Sequence, residues 1–347
     1  MFIPRRAIAL SVAATLCCSA AALAQKDKKQ DKAQKEEVQN VVKLVDGVMA
    51  GETQPTNDLD LAWVRQDFLK AQGNKEYAPF IVTIDPSKAA PGSTLTYYWR
   101  VVRTGGETTD PANGKDNKKK GKKDYAYEDV SFVPLAAGAA SPMRISRSFT
   151  VAAGTYDVYV VAKEPTPKDK KASAPKVSVL KQSVDVPDYW NSELNTSSVI
   201  IAQKMERLAA PLTPDEQADR PYAFGAMEII PVTNFKFAKN QELSTFMLIY
   251  NAQPDKTSGK PDVTVEYNFY SKQAAGEKFF NKTNPQNLNA QTLPPQFDLA
   301  AGHQLQSGQA VPLTTFPEGD YRLEIKVTDK VANKSLTRDV NFTVTGS

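Results

Sequence analysis

From Tyr77 to the C-terminus the chain is punctuated into short runs rich in Val, Ile, Thr, Tyr and Phe, separated by clusters of Gly, Pro, Asn and Lys. Runs of this length and composition are strand-forming, and the clusters between them are turn-forming. The first half holds six, at 78–85, 94–103, 127–134, 144–151, 155–163 and 176–186. The second half repeats the pattern at 226–232, 243–251, 263–271, 320–328 and 335–345, with a weaker candidate at 278–280. Short strands at such regular spacing bury one face each and imply β-sandwiches.

An internal repeat sharpens the division. The stretch from Phe149 to Val160 (FTVAAGTYDVYV) aligns with that from Phe316 to Ile325 (FPEGDYRLEI). In each, a glycine (Gly154, Gly319) lies two residues before a tyrosine (Tyr156, Tyr321) that opens a strand, and a second strand follows, ending in VDV (184–186) or FTV (342–344). Tandem copying of one domain explains this simply. The Gly-x-Tyr-x-[Val/Leu]-x-[Val/Ile] hairpin resembles the last two strands of fibronectin type III-like and other immunoglobulin-like domains. The final stretch, 317–344, is also similar to the β-sandwiches of exported bacterial envelope proteins that accompany GWxTD-type domains, although no GWxTD motif occurs here. The resemblance implies a fold and brings no functional residues with it.

The N-terminus reads as an export signal. Arg5 and Arg6 supply the positive start, 7–20 the apolar stretch and Ala22-Leu23-Ala24 the small-x-small site, so cleavage is expected after Ala24. Retention as an anchor is the alternative, but the apolar run, broken by Ser11, Thr15 and Ser19, is short of the roughly 20 residues that span a bilayer. Lipidation at Cys17 or Cys18 is a third reading, in a poor motif. Both cysteines fall inside the expected signal, so no disulfide would staple the mature chain and each domain must bury a core of its own. Without Arg5 and Arg6, the 43 basic residues exceed the 39 acidic ones by only about two, a balance that specifies no partner.

The expected organisation is therefore all-β, two tandem immunoglobulin-like β-sandwiches with a short helical N-terminal segment. The expected parts are a signal (1–24), a charged disordered linker (25–37), a short helical or irregular segment (38–75), a first sandwich (76–188), a connector (189–221) and a second sandwich (222–347). The helix is expected at 59–70 (LDLAWVRQDFLK), where Leu61, Val64, Phe68 and Leu69 share a helical face behind Asn57 or Asp58 as N-cap.

No catalytic, cofactor or metal site is expected. His303 is the single histidine and sits in a polar Gly-His-Gln loop, which leaves triads, zinc and haem without ligands. Glu128 and Asp129 are adjacent on a strand and would point to opposite faces, so they cannot act as a glycosidase pair; Asp215-Glu216 is the other such pair. Asp58-Leu-Asp60 lacks the glycine and glutamate of a calcium loop.

Two features are left as candidate binding sites. One is a lysine cluster, Lys118, Lys119, Lys120, Lys122 and Lys123, which with the cluster at Lys163, Lys168, Lys170, Lys171 and Lys176 could meet a polyanion or keep long hairpins soluble. No aromatic is interleaved with these lysines, so nucleic acid is not expected. The other is Tyr97-Tyr98, a possible stacking platform for a glycan, while Trp99 is read as core and Trp190 as packing between the domains. The resulting expectation is an exported, periplasmic or extracellular protein that does not span the membrane. It would act as a non-catalytic structural or interaction module whose partner is another envelope protein, with an anionic polymer or glycan as the alternative.

Overall fold

A computed structural model describes residues 32–104, 125–136, 138–167, 169 and 171–346. The expected signal, Cys17, Cys18, residues 25–31 and all five of Lys118, Lys119, Lys120, Lys122 and Lys123 lie outside the described residues. Among the described residues the architecture is all-β with two α-helices, and the chain divides into two compact units with the boundary between Asn191 and Ser192.

Among the described residues of the first unit eight strands follow one α-helix. The helix α1 spans Lys32–Met49; the strands are β1 (Ala62–Gln66), β2 (Leu69–Ala71), β3 (Lys75–Ile84), β4 (Thr94–Arg103), β5 (Tyr127–Pro134), β6 (Met143–Val151), β7 (Gly154–Lys163) and β8 (Val177–Val186). Strand β3 is flanked by β6 on one side and by β1 and β2 on the other, forming one antiparallel sheet. The second sheet runs β5-β4-β7-β8. Between the sheets lies an aromatic core in which Phe80 stacks on Trp63 at 4.8 Å and meets Trp99 and Phe149. Alternation along β4 explains which residues enter it: Leu95, Tyr97, Trp99 and Val101 point inward, which leaves Tyr98, Arg100 and Val102 on the outer face.

The helix is not where the sequence places it. Residues 59–70 form β1 and β2 instead, because Asp60 adopts φ +51°, which no α-helix can contain, and Asn57 hooks the backbone of Leu61 with both side-chain atoms. Asp58 therefore caps no helix; its carboxylate accepts from Val177 N at 3.0 Å. The true helix begins inside the segment expected to be a disordered linker. Val38, Val41, Val45 and Val48 recur at three- and four-residue intervals in α1, and Val41 and Val45 are fully buried against Tyr98, Tyr159, Val161 and Val179 on the outer face of the second sheet. Valine-rich helices are weak in isolation, so this burial, worth about 1.5–3 kcal/mol for each fully buried side chain, is one part of what holds α1.

The second unit begins earlier than expected. Within the supposed connector, β9 (Asn195–Thr196) and β10 (Ile200–Arg207) both pair with a later strand, and Ile200, Ile201 and Ala202 are buried. A short helix, α2 (Pro214–Asp219), carries a capping box between Thr213 and Glu216. The remaining strands are β11 (Ala223–Phe224), β12 (Met227–Pro231), β13 (Lys236–Ala238), β14 (Glu242–Tyr250), β15 (Val263–Gln273), β16 (Gly276–Lys282), β17 (Gln286–Leu288), β18 (Leu305–Ser307), β19 (Ala310–Pro312), β20 (Gly319–Asp329) and β21 (Lys334–Thr345). One sheet runs β11-β12-β10-β14-β18, with β9 and β19 also on β14; the other runs β13-β21-β20-β15-β16, with β17 also on β15.

The repeated hairpins share one geometry. Tyr156 Oη donates to Ala152 O and Tyr321 Oη to Pro317 O, both four residues back and both at 2.8 Å. Gly154 and Gly319 both take φ +146°, a conformation that side chains avoid. This is the corner by which a sandwich ties the start of a strand to the turn before it.

Candidate interaction surface

The outer face of β5-β4-β7-β8 carries the most unusual group of the first unit. Arg100 is 1% exposed in the middle of β4, and its neighbours satisfy it from three elements. Nη1 donates to Asp46 Oδ1 of α1 at 2.6 Å, Nε donates to Tyr98 Oη at 2.7 Å, and Nη2 lies 3.4 Å from Glu128 Oε2 of β5. Tyr98 in turn donates to Glu128 at 2.8 Å, and the ring of Tyr125 covers the guanidinium at 3.9 Å. A second tie fixes the other end of α1: Lys163 Nζ reaches Glu37 Oε2 at 2.6 Å, and Thr166 N donates to Glu37 Oε1. The Lys163 and Thr166 bonds hold the Glu37 carboxyl below its usual range even though its burial acts the other way. Beside the C-terminal end of α1 an open cleft of about 490 Å³ is lined by Val48, Met49, Pro55, Tyr159, Val179 and Lys181.

This arrangement removes the stacking platform expected at Tyr97 and Tyr98. Tyr97 is fully buried and Tyr98 is 2% exposed, because α1 covers the face on which Tyr98 stands. Lys163, counted in a solvating cluster, is a buried structural cation. Glu128 and Asp129 do point to opposite faces: Glu128 serves the arginine, while Asp129 accepts from Val130 N and Tyr127 Oη. Asp58 and Asp60 are engaged separately, Asp60 with Lys88. His303 Nδ1 accepts from Asp298 N at 3.0 Å and the ring lies against Phe297, so it holds its own loop together. Among the described residues no group of three His, Cys, Asp or Glu side chains could hold a metal, and no helix is long and apolar enough to cross a membrane.

Trp190 packs on its own unit: its Nε1 donates to Lys75 O, and Lys70 Nζ sits 4.2 Å from the ring centre. Nearby Glu76, fully buried, accepts from Tyr189 N through Oε1 while Oε2 has no hydrogen-bond partner among the described residues. Burial, aided by the charge of Asp188 and opposed by Tyr189 N–H and Lys70, pushes Glu76 up to about 7 from 4.5. The folded unit thus holds a proton that the unfolded chain releases above pH 4.5. Stability from this group is lost as pH rises from about 4.5 to 7 and is constant outside that window, a change on the order of 2–3 kcal/mol. Denaturant unfolding at pH 4.5 and pH 8 is expected to show that loss in the wild type relative to Glu76→Gln; a difference between the two that stays flat with pH would refute it.

The second unit offers aromatic surface where sequence reasoning found only a weak strand. Strand β16 lies at the edge of its sheet, paired among the described residues with β15 alone. There Phe279 is 51% exposed, the most exposed large apolar side chain among those described, and it meets Tyr270 edge-on at 5.8 Å. Arg322 lies 4.5 Å from the Tyr270 ring and is held by Glu277, Glu324 and Asp339. The signal for this site was Lys278-Phe-Phe280, two aromatics on opposite faces of a strand, one of which must be outward.

No protein-family model and no curated protein matches the chain. Among solved structures it is similar to Escherichia coli alpha-2-macroglobulin activated by porcine elastase (12% identity, TM-score 0.23, 83% of this chain and 24% of that one). A Salmonella alpha-2-macroglobulin mutant (13%, TM-score 0.19, 84% and 17%) and trypsin-activated alpha-2-macroglobulin from Escherichia coli (14%, TM-score 0.21, 85% and 17%) are similar to the same degree. The chain spans a quarter or less of each of these proteins, and at such TM-scores the likeness identifies no activity.

Proposed function

We propose that this protein is an exported, non-catalytic interaction module of the bacterial envelope that engages another envelope protein through the edge of its second sandwich. The observation that supports this reading is Phe279, half exposed on the unpaired edge of β16 and backed by Tyr270 and Arg322. An edge strand presents unpaired N–H and C=O groups, and an aromatic beside them adds apolar area, which together suit docking of an extended segment. Export rests on the basic, apolar and small-residue succession of residues 5–24.

Capture from envelope extracts tests it. The wild-type protein and a variant with Lys118, Lys119, Lys120, Lys122 and Lys123 replaced by Ser and Gly are expected to retain the same protein partner, and Phe279→Asp is expected to lose it. Capture of polyanions that vanishes with the lysine variant, together with indifference to Phe279→Asp, would replace this reading with the polyanion-binding one.

A further inference from the structure

We infer that the first unit pairs with a second copy of this chain, edge to edge, through β8. On its inner side β8 is laddered to β7 from Gly154↔Val186 to Lys163↔Val177 without a break in register. On its other side only its first residues are covered: Val179 N donates to Thr56 O at 2.8 Å and Asp58 N donates to Val177 O at 3.1 Å. Beyond Val179 no strand pairs with that side among the described residues. The open stretch therefore runs from Leu180 to Val186, where Pro187, with no N–H to give, ends it.

The same two bonds fix which groups face the opening. Val177 and Val179 aim their polar backbone atoms outward, so by the two-residue period Lys181, Ser183 and Asp185 do so too. Ser183 is the midpoint of the open stretch. An antiparallel pairing about a two-fold axis at Ser183 sets Lys181 opposite Asp185 of the second copy, and Asp185 opposite its Lys181. Centring on Lys181 or on Asp185 places like charges face to face, and the two intermediate registers leave both charges opposite uncharged residues or outside the pairing. One register alone is self-complementary, as a two-fold interface requires.

The side chains are already ordered for it. Asp157 of β7 holds Lys181 Nζ through Oδ2 and Ser183 Oγ through Oδ1, each at 2.8 Å, while the Lys181 side chain remains 51% exposed. Asp185 is exposed on the same face. Gln182 Nε2 donates to Ser183 O at 3.0 Å, which leaves that carbonyl a second lone pair for the partner strand. Pairing would join two four-stranded sheets into one, and it uses no residue of β16.

Cysteine scanning combined with sedimentation tests the register, in a full chain with Cys17 and Cys18 replaced by Ala. Opposed residues of a hydrogen-bonded pair lie about 5.5 Å apart between Cα atoms, within disulfide reach. Ser183→Cys is expected to form a covalent dimer on mild oxidation. Lys181→Cys alone is not, since its two copies would lie roughly 14 Å apart along the strand, but a mixture of Lys181→Cys and Asp185→Cys is. Sedimentation from about 1 to 500 µM, a range that brackets a weak interface, is expected to show a dimer that Asp185→Lys weakens roughly tenfold by setting four lysines against one another. Mixing Asp185→Lys with Lys181→Asp restores it, and unchanged melting of the separate variants shows that each still folds. A monomer throughout the range, a dimer indifferent to Asp185→Lys, or cross-linking through Lys181→Cys alone would each overturn the inference.

Discussion

Replacing Arg100 with alanine lowers the stability of the first unit by about 3 kcal/mol and frees α1 from its sheet. The cost comes from the arginine's own burial. Its carboxylate partners, Asp46 and Glu128, each keep 38% of their side-chain surface in water, so they rehydrate when the cation leaves, and Tyr98 Oη still has Glu128 to bond. What is lost is the charge-assisted bond that ties Asp46 of α1 to β4, the contact with Tyr125, and the volume of a side chain that fills the space under the helix. Arg100→Met keeps most of that volume without the charge and is expected to cost less than half as much, since apolar replacement of a buried ion is often near neutral. Hydrogen exchange separates the effects: amides of 32–49 lose protection in Arg100→Ala, while those of 319–345 do not change. Protection of α1 that survives the substitution would show that the valine stripe alone holds the helix.

How much of this was legible beforehand depended on whether a residue's environment is set locally. Strands β3 to β8, β14, β15, β20 and β21 fall within a few residues of the runs read from alternation, because a two-residue period needs only near neighbours. The resemblance of the two glycine-tyrosine hairpins was likewise visible, and both form the same corner. Residues 59–70 misled because Leu61, Val64 and Phe68 have helical spacing, while what decides their conformation is Asn57 holding Leu61 and pairing with β3, more than ten residues away. The reverse error hid α1, whose polar start matches a solvated linker until Glu37 meets Lys163, 126 residues on. Tyr98 could not be assigned from β4 alone: outward on a strand normally means wet, and its burial depends on α1. Strand β10 was lost because only its first three residues are buried and four of the next five are polar or charged.

The second large effect is expected at Phe316, where stability and the proposed docking edge meet. Phe316 is 1% exposed, and its ring lies 4.8 Å from Phe280, 5.2 Å from Phe269 and 5.3 Å from Tyr321. Truncating it to alanine removes a buried ring and leaves its neighbours facing a cavity, a loss of about 3–5 kcal/mol for a phenylalanine. The cavity opens under a particular residue. Register along β16 shifts between Phe269↔Asn281 and Tyr270↔Phe279, so Phe280 is the extra residue of a bulge that turns its ring inward onto Phe316 while Phe279 faces out. With Phe316 gone the bulge has lost the ring it packs on, and β16, held on one side only, should fray before the rest of the sheet. Phe316→Ala is therefore expected to lose hydrogen-exchange protection at 276–282 first and to lose partner capture at temperatures where the unit is still folded. Phe316→Leu, which keeps an apolar group against Phe280, should retain capture at about half the stability cost. Loss of stability spread evenly over the second unit, with capture intact until global unfolding, would show that the edge does not depend on this packing.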